Sequence, residues 1–456
     1  MRCVVPGSNE LGPKPITQPS DSPETIKAYS SLRKQLATML KPTSSEKYCK
    51  DSFLWYLNGV IQRNLGLKKD AIKSLALSLK LQPNLWASWQ ELSRCVDFYD
   101  TKSLTPIIDT ICPEDNICKM FFIIKYLNKI AVYAELVDTC LTRLKADYGL
   151  DNTCDFLAAE AEFLNSLQNY PGCIEKYRNM RKIDPYRFED TDNYSNVLFT
   201  SSSRQDLATL AHELNDVEPY RYETCVVTGN YYSLRGDHQK AIDFFERAIR
   251  LNPLEKSGIY ILLGHEYTEI NESQLAINAY KKAQVVDPND HRSWYSLGQK
   301  YEILQMHLAS FYYYSKAAQL QPYNTTILSA LADSMVKCGK QDSAEVLYRR
   351  CVAIVGNETE ENDIEGQMAL YRLAKFYEET EKTTLAAHYY SLYVKRLENC
   401  GSNDTDVIME VYIYLAKFFK SENQFELAEE YAKDALRGVS TKDEAKKILA
   451  EISDIK

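Results

Sequence analysis

Twelve cysteines, six histidines and 63 aspartates and glutamates give this 456-residue chain the atoms for thiolate, metal and acid–base chemistry. Such chemistry needs constellations: a nucleophile beside a base, or ligands at fixed spacing. The cysteines run from Cys3 to Cys400 with no CxxC pair, and no Cys/His spacing matches a zinc module. His212, His238, His265, His291, His307 and His388 stand apart, none at ligand spacing from another. GxxxxGK[ST], GxGxxG after a strand, HExxH and GxSxG are absent. The residues therefore assign no catalytic group, no metal and no cofactor. Cys173, Cys225, Cys338 and Cys351 fall at or near helix-packing positions, where a free thiol acts as a small hydrophobe.

The polar groups that do recur in a pattern are amides and carboxylates. Asn196, Asn230, His265, Gln299 and Asp333 follow one another at intervals of 34 or 35 residues. Glu189 and Glu223 are 34 apart, and Asp192 and Glu302 share the same segments. Asn and Gln both donate and accept, which suits the backbone of an extended peptide. Carboxylates suit an arginine or lysine on a ligand, best as a bidentate arginine pair. The alternative is a merely solvated face.

The elements that would position these groups follow from composition. The 16 glycines and 15 prolines make up 31 of 456 residues, against an ordinary share of about 12%. A chain so poor in turn-formers favours long helices over a many-stranded sandwich or barrel. With 54 Lys and Arg against 63 Asp and Glu, the formal charge is −9, which argues against a nucleic-acid binder. MRCVVPGSNELGPKP has no apolar core of signal-peptide length. Apolar runs such as Ile259 to Leu263 are too short for a bilayer. Reduced thiols, no membrane and a soluble intracellular protein are expected.

The repeat is the strongest signal. Pro253, Pro288 and Pro322 are separated by 35 and 34 residues, and Pro185 and Pro219 by 34. Gly229, Gly264 and Gly298 are each followed by Tyr232, Tyr267 and Tyr301, and twelve residues on by Ala241, Ala276 and Ser310. Phe245, Tyr280 and Tyr314 come next, then Ala248, Ala283 and Ala317. Steps of three and four keep such residues on one helical face. The small residues mark where two antiparallel helices cross closely. Arg235-Gly236-Asp237-His238 reads as the turn between them. No single pair buries its aromatic face alone, so many must stack. Small residues at positions 8, 20 and 27, large ones at 11 and 24 and proline at 32 form the tetratricopeptide pattern.

The expected fold is an all-α, right-handed superhelical solenoid of about eleven such pairs. Its expected parts are a disordered Pro-rich tail (1–45), divergent repeats (46–221), regular repeats with a peptide groove (222–355), an acidic insert (356–366) and C-terminal repeats with a capping helix (367–456). Residues 24–40 can form one helix within the tail. Positions 2, 5, 9 and 12 of each first helix line the concave face, which makes Glu189, Asp192, Asn196, Glu223, Asn230, His265, Gln299, Glu302 and Asp333 the groove candidates. Most of the 33 tyrosines sit at packing positions. Tyr312, Tyr313 and Tyr314 cannot all face one way on a helix, so at least one should be exposed.

Several blocks exceed the generic repeat. KIDPYRFEDTDNYSNVLF (182–199), EPYRYETCVVTGNYYSLRGDHQKAIDFFERAIRLNP (218–253), GHEYTEI (264–270), WYSLGQKYEILQM (294–306), WYLNGVI (55–61) and FYYYSKAAQLQP (311–322) resemble the eighth-subunit family of the anaphase-promoting complex. The resemblance runs in order over about residues 52 to 400 and includes Arg187, Glu189, Arg221 and Glu223. It implies a non-catalytic scaffold subunit of a ubiquitin ligase that controls the cell cycle, in nucleus and cytoplasm. It further implies stacking on other tetratricopeptide subunits, support for a cullin-like and RING module, and a groove for an arginine-containing coactivator peptide. Family members carry a longer N-terminal helical block that forms a homodimer. Only 51 residues precede the first clear repeat here, so that block is expected to be missing. Ile455-Lys456 is not the Ile-Arg tail by which partners dock. Ser22-Pro23 and Thr105-Pro106 fit minimal proline-directed kinase sites. The rival reading is another tetratricopeptide adaptor, such as a co-chaperone. Chaperone-binding grooves hold carboxylates with Lys and Arg at positions 5 and 9, but position 5 here is Asp192, Val226, Ile261, Tyr295 and Ser329.

Overall fold

Sparse helix breakers and small residues at recurrent positions yield helices joined by tight turns. The computed structural model describes residues 23–40, 51–96, 116–127, 133–252, 257–355, 364–400, 406–438 and 441–453. These residues form 23 helices and no strand among them. The expected tail (apart from its helix), most of the acidic insert, Pro253, Ser22 and the Thr105-Pro106 site lie outside the described residues.

Two compact units divide the chain, Met1–Asp287 and Pro288–Lys456. In the first, α1 (Pro23–Met39) precedes the pair α2 (Ser52–Asn64) and α3 (Lys68–Leu81). Next come α4 (Trp86–Cys95), α5 (Ile117–Leu127), α6 (Ala134–Tyr148), α7 (Cys154–Ser166), α8 (Tyr170–Ile183), α9 (Thr191–Thr200) and α10 (Arg204–Val217). It closes with α11 (Tyr222–Leu234), α12 (His238–Leu251), α13 (Ser257–Glu269) and α14 (Ser273–Val286). The second unit holds α15 (His291–Ile303), α16 (His307–Leu320), α17 (Thr325–Lys337), α18 (Gln341–Val355), α19 (Ile364–Glu379), α20 (Thr383–Cys400), α21 (Asp406–Ser421), α22 (Phe425–Ala435) and the final helix α23 (Lys442–Ser453). Ten complete helix pairs are described, and α4 stands between the first and second of them.

Packing inside a pair follows from volume. A Cβ on Gly229 would lie 2.5 Å from the Phe245 ring, and one on Gly298 would lie 2.5 Å from the Tyr314 ring. Gly264 stands in the same relation to Tyr280, and Gly59 to Leu75. The glycine of each first helix thus makes room for the large residue at position 24 of the second. Ala241, Ala248, Ala276, Ala283 and Ala317 are fully buried on the same faces. Burying one aromatic of this size contributes about 2–3 kcal/mol, so the interlocked ring and glycine are the main unit of cohesion.

Each intra-pair turn among the described residues uses one left-handed residue. Gly66, Gly236 and Gly339 supply it with φ of +75°, +82° and +75°. Elsewhere Gln168, Ser202, Asn271, Gln305, Glu381 and Asn423 occupy that place, with φ between 55° and 64°. Helix starts are capped where a short polar side chain is available. Asp51 accepts from the Phe53 N–H (2.9 Å), Asp290 from Arg292 (3.0 Å) and Asn324 from Ile327 (3.0 Å). No described helix is long and apolar enough to cross a membrane.

Candidate peptide groove

The recurrent polar positions lie on the first helices of the pairs, and the structure commits many of them to neighbouring repeats. In the first unit, Asn230 on α11 is 2% exposed. Its amide donates to Ser195 Oγ at 2.8 Å and to Asn196 Oδ1 at 2.9 Å, both on α9. Asn230 and Asn196 hold the same position in consecutive repeats, so their bond is an inter-repeat rung. Expected on an open face, Asn230 is instead interior, because α9 and α11 approach closely there.

Asp192 and Glu223 are buried as well. Glu223 receives a bidentate pair from Arg221, with Nε and Nη2 each at 3.1 Å. The Arg221 guanidinium also lies 4.5 Å over the Phe188 ring. Arg187 reaches Asp155 at 2.8 Å, Glu189 at 3.1 Å and Asp190 at 3.3 Å. The Arg-x-Glu motif at 187–189 and 221–223 is thus a structural clamp at the start of each repeat. Glu189 itself stays exposed.

His265 is exposed on α13, and its Nδ1 lies 3.0 Å from the Tyr280 hydroxyl. Burial pushes that hydroxyl up to about 12. One residue on, Glu266 is buried, accepting from Ser233 Oγ at 2.6 Å and meeting His238 Nδ1 at 2.9 Å. Glu266 is not among the recurrent polar positions; its only mark in the sequence is an acid set among apolar residues in ILLGHEY.

In the second unit, Gln299 is exposed on α15. Glu302 accepts from Tyr314 at 2.8 Å and from Lys337, on α17, at 2.6 Å. Burial alone would raise its carboxyl, but hydrogen bonds from Lys337 and Tyr314 outweigh it and hold the group below the usual range. Asp333 is gripped by the Tyr348 hydroxyl and by Arg372 Nη1, the latter at 2.9 Å. A cationic ligand reaching Glu302 or Asp333 must compete with these internal cations. The uncharged groups of this set that keep some exposure are His265 and the half-buried Asn196 in one unit, bonded to Tyr280 and Asn230, and Gln299 in the other. Among the described residues no group of three or more His, Cys, Asp or Glu could hold a metal ion.

Of the four thiols expected at packing positions, Cys173, Cys225 and Cys351 are buried and outside any disulfide, whereas Cys338 is half-buried. Burial pushes Cys173 up to about 12 and Cys351 up to about 11, so neither is a nucleophile at neutral pH. In the tyrosine triplet, Tyr313 and Tyr314 are buried while Tyr312 is 48% exposed.

Comparisons with known proteins agree with this repeat architecture. A family model described as anaphase promoting complex subunit 8 / Cdc23 matches residues 13–157, and a tetratricopeptide repeat model matches 222–253 and 257–290. A cell division cycle protein 23 homolog of Caenorhabditis elegans is 28% identical, covering 94% of this chain and 62% of its own length. Anaphase-promoting complex subunit 8 of Dictyostelium discoideum is 33% identical over 88% of this chain and 65% of its own. Anaphase-promoting complex subunit CDC23 of Saccharomyces cerevisiae is 29% identical, with 94% and 71% covered. The chain thus spans less than two thirds of the length of the nematode and Dictyostelium relatives. The crystal structure of the APC/C hetero-tetramer Cut9-Hcn1 shares the fold, with a TM-score of 0.57 at 17% identity over 94% of this chain and 82% of that one. The helix pairs and these matches make the chain a tetratricopeptide-repeat protein similar to members of the anaphase-promoting complex subunit 8 / Cdc23 family.

Proposed function

We propose that the chain is a non-catalytic scaffold subunit of the anaphase-promoting complex, a multisubunit ubiquitin ligase of the cell cycle. The observation that carries the reading is the match to relatives named as subunits of that complex over 94% and 88% of the chain. Its helix pairs spend their polar residues on inter-repeat bonds, as expected of a part that must hold other parts at fixed distances. In this role it stacks on further tetratricopeptide subunits, helps to carry the cullin-like and RING module, and works in nucleus and cytoplasm. The first helices of the first unit offer Asn196 and His265 to the backbone of a coactivator peptide. The absence of Lys and Arg at position 5 disfavours a co-chaperone clamp. Rapid depletion of the chain from dividing cells tests the assignment. Arrest before chromosome separation, reversed by re-expression, is expected. Normal anaphase in cells without the chain rules it out.

A further inference from the structure

The turn of the pair α15–α16 departs from the polar habit of most of its counterparts. The second residue of the second helix is Gln205, Gln239, Gln274, Asp342, Thr384 and Glu426 in six pairs, but Leu308 in the pair α15–α16. Leu308 is 78% exposed, the most exposed large hydrophobic side chain among the described residues. Around it, Ile303 at the end of α15 (64% exposed) and Leu304 and Met306 in the turn are also open to solvent. Tyr312, exposed one helical turn beyond Leu308, extends the stripe along α16. Five large apolar residues within ten positions form a contiguous patch, the arrangement that marks an interaction surface rather than scattered exposure.

The rim of this patch is basic, although the chain as a whole carries −9. Lys340 Nζ sits 4.3 Å over the ring of Phe311, which is one turn from Leu308. Lys337 meets Glu302, the residue before Ile303, at 2.6 Å and neutralises it. Lys316 lies one turn beyond Tyr312 on α16. Leu308 and Tyr312, spaced i and i+4, make a ridge suited to the groove of another helix.

We propose that this patch docks an acidic amphipathic helix of a partner protein. Apolar residues at i and i+3 or i+4 on that helix cover Ile303, Met306, Leu308 and Tyr312, and its carboxylates face Lys340 and Lys316. The inference goes beyond the subunit reading and does not need it.

The test places a photo-crosslinking phenylalanine derivative at position 308 of the full chain in dividing cells, with position 342 as control, and sequences the captured peptide. A net-acidic segment with helical apolar spacing is expected at 308 and not at 342, with the yield falling about tenfold in Lys340→Glu. Capture of a basic or purely polar segment, of a second copy of this chain, of nothing above the position-342 signal, or a yield unchanged by Lys340→Glu overturns the proposal.

Discussion

The Tyr314 hydroxyl donates to the Glu302 carboxylate at 2.8 Å, while the Tyr314 ring fills the space that Gly298 leaves open. One tyrosine therefore serves two levels of structure. Its ring locks the two helices of a pair, and its hydroxyl holds an acid that Lys337 of the next repeat also grips. The same double use recurs at Tyr348, which bonds Asp333 beside Arg372, and at Tyr390, which bonds Glu378 at 2.6 Å.

Ring and glycine interlocking makes a signed prediction. In an open helix, Gly→Ala stabilises by about 0.5–1 kcal/mol. Gly264→Ala should do the reverse and destabilise by about 1–3 kcal/mol, because the added Cβ meets the Tyr280 ring. Chemical denaturation of the two proteins reads the sign. A stabilised variant contradicts the packing.

Left-handed turn residues predict the opposite response. Gln168 holds φ of 58°, a conformation that costs a non-glycine residue about 1–2 kcal/mol. Gln168→Gly should gain about 0.5–1 kcal/mol after the extra freedom of the unfolded glycine is deducted. A loss of stability in the same denaturation experiment contradicts that turn geometry.

The Glu302 carboxyl is held below the usual range of about 4.3 in the folded chain. A depressed folded value means that its contribution is present above the unfolded value and is lost as the pH falls through the folded one. Glu302→Gln should therefore destabilise at neutral pH and flatten the acid limb of the stability curve below about pH 4. Parallel curves for the two proteins would show that the Lys337 pair contributes nothing.

Thiol burial predicts the order of alkylation. Iodoacetamide at neutral pH should spare Cys173, Cys225 and Cys351 in the native protein and label the half-buried Cys118, Cys154 and Cys338 first. Peptide mapping before and after denaturation decides it. Early native labelling of Cys173 contradicts the first-unit core.

Among groove residues, position matters more than residue type. Asn230→Ala removes two buried hydrogen bonds and should destabilise by about 1–3 kcal/mol. Replacing the exposed His265 should leave the melting temperature nearly unchanged while weakening an arginine-containing coactivator peptide. Unaltered affinity would remove that residue from the groove.

Periodicity made the helix pairs legible, since glycine, alanine and aromatic residues must recur wherever two helices cross. The Arg235-Gly236-Asp237-His238 turn was legible for the same reason, its glycine taking the left-handed place. The equivalent place in other repeats is filled by Gln, Ser, Asn or Glu, which announce nothing in sequence. The groove was less legible because a register number gives the face of a helix, not the depth to which a neighbour covers it. Asn230 and Gln299 share a register position, yet one is interior and the other exposed. Nor does spacing reveal that Lys337 and Arg372, 35 and 39 residues downstream of Glu302 and Asp333, have taken those acids. Such pairings depend on how consecutive repeats lean on one another.

The central claim is membership in a ubiquitin-ligase assembly. Affinity purification of the tagged chain from dividing cells, with mass spectrometry of what co-purifies, tests it most directly. The account predicts a cullin-like subunit, a RING subunit and further tetratricopeptide proteins in the same fraction. Recovery of chaperones alone would contradict it and put the adaptor reading in its place.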